Sequence, residues 1–561
     1  MSSSQKQKAK AEDIISTQDI SDAESDLDEQ IDVAEIASPS TSQKKKKKKK
    51  SKASKVLNAL RGKPDIPQEL VNHVLDKVQT ENAVGAAEAT QENVREILEQ
   101  LKIMDVIKGR AGIGGTNKKD MGEHKFWATQ PVPQLGEGPP LDDGYIEPSV
   151  PCEQVRQEPY PLPKDFEWST VDVADPQQNK EVHDLLSQHY VEDDDASFRF
   201  QYSAEFLQWA LMPPGYHKEW HIGVRVSSNK KLVAFISGVP VTLRVRECTF
   251  VASEINFLCI HKKLRSKRLA PVLIKEVTRQ VHLKGIFQAI YTAGVVLPTP
   301  VAVCRYHHRL INVPKLVDIK FCYVARNMTL ARMILLNKVP VSVSTSGLRP
   351  MEEADVPQVA DLFMRYMKRF GMSPLFNLEE TKHHFLSGSG TGAIGDGGPG
   401  RRSRQVTWSY VVEVIFLHLY DLPLLTSYQN RVTHLITDFF SFYSLPSTVI
   451  GNTKNPNLEA AYLFYYASDV AFQDGAEGDG RLKKRLEALI EDALVIAKEA
   501  KFDVLNALTL MDNVSVLQDL KFGAGDGLLN YYLYNWRTAP LAGADSQGGV
   551  SAGKGVGVVM L

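Results

Sequence analysis

The residue types most able to do chemistry crowd into residues 254–271. Glu254-Ile-Asn-Phe-Leu-Cys-Ile-His-Lys262 closes an apolar, β-branched run, and five cations fall within the seven residues from Lys262 to Arg268. Leu269, Val272, Leu273, Glu276, Val277 and Val281 then recur at helical spacing, so this stretch predicts a buried strand, a basic loop and a helix start. A helix N-terminus carries unpaired N–H groups and partial positive charge, and Lys and Arg beside it suit the corner to a pyrophosphate. A solvated basic turn has the same composition. A second candidate, Lys521-Phe-Gly-Ala-Gly-Asp-Gly527, precedes a strand over residues 528–536 and a glycine-rich tail that ends at Leu561.

The elements that must position these residues follow from the rest of the chain. With 561 residues, 43% of them hydrophobic, the protein is too long for one core, and two or more folded units are expected. The net charge of -1 conceals a highly charged first hundred residues and an aromatic-rich middle. Cys152, Cys248, Cys259, Cys304 and Cys322 are odd in number and show no metal-ligand spacing. They read as reduced, mostly buried thiols, with no metal site. The N-terminal residues have no apolar leader core and no run approaches a membrane span, so a cytoplasmic protein is expected.

Residues 1–55 are Ser-, Asp- and Glu-rich and then carry seven lysines from Lys44 to Lys50. They are expected to be disordered. The lysines read as a contact for a polyanion, ribosomal RNA or an anionic membrane face, or as a solubilising tail. Val94, Ile97, Leu98, Leu101 and Met104 mark one face of a helix over residues 91–107, and a proline-punctuated arm spans residues 139–163. A weak internal echo pairs Asp172-Val173 and Val182-His-Asp-Leu-Leu186 with Asp355-Val356 and Val359-Ala-Asp-Leu-Phe363. Two copies of one strand-then-helix unit would account for the length. In the second copy, residues 387–400 are glycine-rich but lack the Lys-Ser/Thr of a phosphate loop, so they read as a flexible linker.

Taken together, residues 254–262 and 521–527 resemble the two signature segments of N-myristoyltransferases, which move a C14 acyl chain from coenzyme A to an N-terminal glycine. The resemblance extends through Phe126-Trp127, residues 190–195, 291–294 and 437–447, and covers residues 122–561. It implies an α/β fold of two tandem acetyltransferase-like halves around mixed, strongly twisted sheets. The expected division is a polar tail over residues 1–110, an acyl-CoA half over 111–345 and a peptide half over 346–561. Arg265-Ser-Lys-Arg-Leu-Ala270 has the spacing of the acetyltransferase pyrophosphate motif, with Arg268 where a glycine is usual.

The resemblance further implies acyl-CoA contacts from His124, Lys125, Phe126, Trp127, Phe257, Leu258, Cys259, Ile260, Arg265, Ser266, Lys267, Arg268, Leu269, Ala270 and Pro271. It implies an oxyanion hole from the backbone N–H groups of Phe257 and Leu258, whose side chains by themselves read as core. Proton acceptance is assigned to the terminal carboxylate of Leu561, with Thr292 and Asn256 bonding the glycine or that carboxylate. Peptide contacts fall on Tyr190, Asp193, Asp195, Tyr306, His308, Ser441 and Asp526. The implied partners are myristoyl-CoA, as co-substrate without a further cofactor, and N-terminal glycine peptides; no DNA partner is implied. Two rivals remain open at this point: a short-chain CoA-dependent N-acetyltransferase, and a ribosome-associated adaptor acting through Lys44 to Lys50. One departure stands out. Family members join the strands near residues 408–413 and 434–443 by a short turn, whereas residues 414–431 intervene here with an apolar composition. They are expected to form an exposed apolar loop, the product of a translated intron or gene-model error, that threatens the fold of the second half and the placing of Ser441.

Overall fold

Capping and burial decide where the elements begin. In the computed structural model, which describes residues 124–134, 137–190, 197–265, 267–418 and 431–561, Asp175 accepts the Gln178 N–H at 2.8 Å and Pro176 opens the first helix. The lysine run, the helix expected over residues 91–107, Asp193, Asp195 and Ser266 lie outside the described residues.

The first half runs β1 (Phe166–Thr170), α1 (Pro176–His189), β2 (Phe198–Phe200), α2 (Ala204–Leu211), β3 (His221–Val226), β4 (Leu232–Val245), β5 (Cys248–Ile260), α3 (Leu269–His282), β6 (Gln288–Ala293) and β7 (Ala302–Leu310). Then come α4 (Val313–Asp318), α5 (Leu330–Leu336), β8 (Leu348–Pro350), α6 (Val356–Met367), β9 (Met372–Pro374) and α7 (Leu378–Lys382). The remainder is β10 (Thr407–His418), β11 (Arg431–Ser444), β12 (Ser447–Val449), β13 (Asn457–Leu458), β14 (Ala460–Ser468), α8 (Arg481–Glu499), β15 (Val504–Leu508), α9 (Asn513–Val516) and β16 (Gly523–Tyr534).

One sheet runs through both halves in the order β1-β3-β4-β5-β6-β16-β7-β15-β14-β11-β10-β8, with β9 added to β4. Its pairs are antiparallel except β5 with β6 and β14 with β15. Each parallel pair is bridged by a helix, α3 or α8, as a parallel crossover requires. The echo in the sequence is real at the start of each copy: β1 leads to α1 with Val182, Leu185 and Leu186 buried, and β8 leads to α6 with Val359, Leu362 and Phe363 buried. The late strand β16 inserts between β6 and β7, which ties the end of the chain to the first half.

Leu269, Leu273, Val277 and Val281 of α3 pack on Ile222, Val224, Ala234 and Ile236, so that helix is anchored by its apolar stripe. The arm over residues 139–163 lies along the same helix. The Tyr160 N–H donates to Glu276 at 3.0 Å, and Glu276 is itself paired with buried Arg279 at 2.5 Å.

Several expectations are corrected. Residues 414–418 are not loop: β10 and β11 stay paired out to His418 opposite Arg431, so the ladder absorbs both ends of the apolar stretch, and residues 419–430 lie outside the described residues. The second half is folded around it, with Phe439, Phe440 and Phe442 fully buried. The glycine-rich segment is no free linker either, since Arg401 donates to the Ala500 carbonyl at 2.7 Å and a Cβ on Gly400 would strike residues 499–500 at 2.8 Å. All five cysteines are free, but only Cys259 and Cys304 are buried.

Candidate active site

The β5 strand owes its special geometry to one extra residue. Opposite it, β4 pairs Phe235 with Cys259 and Ser237 with Asn256, so Phe257 and Leu258 together face Ile236 alone. Such a bulge breaks the ladder and re-aims the backbone. Phe257 takes a left-handed conformation, φ 58°, which is strained for a residue with a Cβ. Its ring is locked against Tyr202 at 5.2 Å and Tyr190 at 6.1 Å, and its backbone N–H is turned toward the Tyr190 hydroxyl. Beyond the bulge, Cys259 is buried, and burial pushes its thiol up to about 12. Ile260 packs on the α3 side.

After β5, Lys262, Lys263, Arg265, Lys267 and Arg268 lead into α3, whose first turn holds no acidic residue. Arg268 is the N-cap in a left-handed conformation, φ 65°, which explains why glycine is usual at this place in the motif. Leu269, Ala270 and Pro271 are buried, fixing the helix start. Arg265 bonds the His189 carbonyl at 2.6 Å. His189 is pushed down to about 4 by burial first and then by His261 and the neighbouring cations. The corner is therefore strongly electropositive without imidazolium charge near neutral pH.

Residues 124–132 dock beside it. His124, Phe126 and Trp127 are buried and Lys125 is exposed. Trp127 stacks on Tyr291, and Tyr291 on Tyr532, at 5.6 and 5.0 Å. Thr292, next along β6, is half-buried and opposite Tyr531.

The glycine-rich tail threads inward. Gly555 bonds Ala542 and Met372, Gly557 donates to the Met372 carbonyl at 2.7 Å, and a Cβ on Gly555 would strike Ala542 at 2.2 Å. Val556, Val558, Val559 and Met560 are buried. Tyr531 donates to the Val558 carbonyl at 2.9 Å and the Tyr465 hydroxyl accepts the Val559 N–H at 3.0 Å. The Glu254 carboxyl accepts from Asn256 at 2.7 Å and is pushed up to about 7 by burial, with Asn256 and then the Leu561 backbone pulling it back. The last residue thus lies beside the strand that carries Phe257 and Leu258.

Further across the same sheet, β16 bulges three residues, Gly525, Asp526 and Gly527, opposite Tyr306. A Cβ on Gly525 would meet His308 at 2.3 Å, so the glycine is required by the chain's own close packing. His308 is held by Asn506 at 2.7 Å and its imidazole is pushed down by burial, with Asp526 pulling it back. The phenols of Tyr190, Tyr306, Tyr443 and Tyr462 face the Tyr202 hydroxyl, giving a tyrosine-lined wall.

Comparison with known proteins decides what this arrangement belongs to. The family profile of the myristoyl-CoA:protein N-myristoyltransferase N-terminal domain matches residues 145–304, and that of the C-terminal domain matches residues 318–559. The chain belongs to the N-myristoyltransferase family. It is 48% identical to a glycylpeptide N-tetradecanoyltransferase of Aspergillus fumigatus over 84% of this chain and 90% of the relative. It is 46% identical to one of Schizosaccharomyces pombe over 86% and 98%. A crystal structure of Saccharomyces cerevisiae N-myristoyltransferase with bound myristoyl-CoA superposes with a TM-score of 0.70 at 45% identity, covering 78% of this chain and 99% of that one. The family is one of acyltransferases, and the mixed α/β sheet of two tandem halves is its fold.

Within this N-myristoyltransferase fold, the expected site residues divide clearly. Phe257, Leu258, Tyr190 and Leu561 converge on one end of β5, while Tyr306, His308 and Asp526 gather at the β16 bulge. Ser441 is turned inward: it is fully buried and its hydroxyl is used by the Tyr465 backbone, donating to the carbonyl at 2.8 Å and accepting the N–H at 3.2 Å. Sequence reading missed Tyr465, Tyr531 and Glu254. Glu254 left a signal, a carboxylate inside an apolar strand; the two tyrosines left none. Among the described residues no helix is long and apolar enough to cross a membrane, and no cluster of His, Cys, Asp or Glu could hold a metal.

Proposed function

We infer that the protein transfers a myristoyl group from myristoyl-CoA to the N-terminal glycine amine of peptides by direct attack, with no covalent enzyme intermediate. The observation that supports this reading is the inward threading of the buried tail to Leu561, with Val558 bonded by Tyr531 and Val559 by Tyr465. The cationic corner and the α3 N-terminus take the pyrophosphate, with the His124–Trp127 segment against the acyl-CoA. The backbone N–H groups of Leu258 and of Phe257, the latter exchanging the Tyr190 hydroxyl for substrate, receive the oxyanion. Preorganised donors of this kind contribute roughly 10²- to 10³-fold each.

The glycine arrives as an ammonium. It gives one proton to the Leu561 carboxylate, the neutral amine forms the C–N bond at the thioester carbon, and collapse of the tetrahedral intermediate breaks the C–S bond. The second amine proton leaves as the amide forms, and coenzyme A departs as thiol. An α-carboxyl titrates at about 3.5 and an α-amino group at about 8, so in water this transfer is uphill by roughly four powers of ten. Burial of the tail narrows the gap by disfavouring both charged forms. Thr292 and Asn256 orient the amine, and Tyr190, Tyr306, His308 and Asp526 shape the peptide path, while Ser441, turned inward, only braces the Tyr465 backbone. Asp193 and Asp195 supply negative charge for a basic peptide residue.

Transfer from labelled myristoyl-CoA to a glycine-initiated peptide, with an alanine-initiated control, tests the reading. Labelling of the glycine peptide alone is expected; equal labelling of both overturns it.

A further inference from the structure

Helix α5 (Leu330–Leu336) is turned the wrong way round for an element of a folded core. A surface helix is ordinarily anchored by burying its apolar stripe, as α3 is. In α5 only Met333 is buried, and the other six residues are exposed, Leu335 at 70%. What holds the helix is polar and sits at its ends. The Thr329 hydroxyl accepts the Arg332 N–H at 3.2 Å, the Asn337 amide donates to the Met333 carbonyl at 2.9 Å, and Lys521 donates to the Leu336 carbonyl at 3.0 Å. Buried Arg309 donates to the Asn337 carbonyl at 3.2 Å. Leu330 and Ile334, and likewise Ala331 and Leu335, stand one turn apart, so they form a continuous apolar face turned away from Met333. Exposed Tyr323 and Val341 extend the apolar stretch along the chain on either side. The charge around it has one sign. No Asp or Glu occurs between Asp318 and Glu352, while Lys320, Arg326, Arg332 and Lys338 are all exposed.

We propose that α5 seats the protein on an anionic phospholipid surface, with its apolar face in the boundary between headgroups and acyl chains and the surrounding cations on the headgroups. A contiguous exposed apolar face marks a contact surface, and one flanked by Lys and Arg is the pattern of a helix that lies in a membrane interface. The long cationic side chains keep their stems in the apolar layer and their charges in the headgroup layer. Each such charge adds attraction to an anionic leaflet, and salt screens it. With six of its seven residues exposed, α5 stands out from the surface and lines no groove, which suits a deformable lipid interface better than the rigid face of a partner protein. The seat adjoins the β16 bulge: Lys521, which bonds α5, lies four residues before Gly525, and Phe321 packs edge-on against His308 at 5.3 Å. A bilayer at α5 therefore borders the proposed peptide path, although the seat does not depend on that reading.

Co-sedimentation with lipid vesicles tests the seat. The parent is the full-length chain with Lys44 to Lys50 each replaced by serine, which removes the other lysine cluster; I334S/L335S and R332E/K338E are made in it. The parent is expected to bind vesicles of phosphatidylcholine and phosphatidylserine roughly 10-fold or more tightly than vesicles of phosphatidylcholine alone, and to release them as salt is raised. I334S/L335S should weaken binding to the mixed vesicles roughly 10- to 100-fold, the scale of two apolar side chains left in water. R332E/K338E should weaken it roughly 10-fold or more. All four side chains are exposed, so every variant should keep the Tm of the parent. L335Q, a single change at the most exposed position of the helix, repeats the test should the double variant fold poorly. Equal binding by the parent and the apolar variants overturns the proposal, as does equal binding by the parent and R332E/K338E, or a parent that binds both vesicle types alike or neither. A parent that ignores vesicles but sediments as a dimer, with I334S/L335S a monomer, assigns the face to a second copy of the chain and overturns it as well.

Discussion

The two halves contain the same corner built twice, and they have been put to opposite uses. In the first, β5 bulges at Phe257–Leu258 against Ile236, runs into a loop, turns through a left-handed N-cap at Arg268 and returns through α3 to the parallel strand β6. In the second, β14 bulges at Phe464–Tyr465 against Ser441, turns through the left-handed N-cap Gly480 and returns through α8 to the parallel strand β15. The differences lie in two places. Ile236 offers no side-chain acceptor to the bulge facing it, where the Phe257 N–H is turned toward the Tyr190 hydroxyl, whereas the Ser441 hydroxyl across the second bulge takes the Tyr465 N–H. The first loop carries Lys262, Lys263, Arg265, Lys267 and Arg268, while the second carries Asp469, Asp474, Glu477 and Asp479. The first corner is thus basic, and the second is acidic and holds the chain's own tail: Glu477 pairs with Lys554 at 3.2 Å and Tyr465 holds Val559. The two corners share their geometry and differ in the sign of their charge and in the hydroxyl that faces the bulge.

If the second corner exists to hold the tail in the first, removing what is held should have the largest effect. A chain ending at Met560, or one amidated at Leu561, is expected to lose roughly 10²- to 10⁴-fold in chemical rate, the range of a general base, with myristoyl-CoA affinity kept. An undiminished single-turnover rate would place the base elsewhere. Next comes Asp512, whose buried carboxylate takes Arg369 at 2.7 Å, Tyr366 at 2.5 Å and Lys554 of the tail. D512N should lower stability by about 3–5 kcal/mol, as broken buried pairs do, readable as a fall in Tm. Burial alone would raise the Asp512 carboxyl, but Arg369 and Lys554 outweigh it and hold it below the ordinary range. The stability it contributes is therefore present above about pH 3.9 and is lost only as pH falls through the depressed folded value, so the tail should stay docked at pH 5.

Glu254 titrates in the opposite sense. With its folded value raised to about 7, its protonated form is favoured by folding, and stability drains away as pH rises from the unfolded value of about 4.3 toward 7. Wild type should therefore lose up to about 3 kcal/mol relative to E254Q across that window. Parallel Tm curves for the two proteins would contradict it.

Much of the first corner was legible in the sequence because its signals are local: an apolar run, clustered cations and a helical stripe. Arg268 was noted only as a departure from the usual glycine, and its left-handed N-cap role came from the structure. The second corner left no such signal, since the echo of Asp172 and Asp355 marks only the start of each copy, a bulge has no composition of its own and Ser441 looks like any strand serine. The docking of the tail, Val558 on Tyr531 and Val559 on Tyr465, joins distant segments, and no local pattern encodes it. Residues 414–418 misled because apolar residues on a lengthened hairpin and in an exposed loop read alike until the ladder is seen.

Two smaller effects sharpen the comparison at single positions. S441A leaves the Tyr465 N–H unpaired in a buried bulge and should reduce stability by about 1–3 kcal/mol, whereas I236A in the first corner, which removes only apolar volume, should leave bulge hydrogen bonding untouched. Amide exchange at Tyr465 separates the two: faster exchange in S441A alone is expected, and equal protection in both would remove the hydroxyl from the account. The smallest effect concerns the matched N-caps. Arg268 adopts φ 65° with a Cβ while Gly480 adopts φ 78° without one. R268G should therefore relieve about 1 kcal/mol of backbone strain, and G480A should introduce about as much. R268G also removes a cation from the basic corner, so its Tm should rise while KM for myristoyl-CoA rises with it. G480A should lower Tm and leave that KM alone, because the second corner faces the chain's own tail and no phosphate. A KM change in both variants would mean that the two corners are not divided in this way.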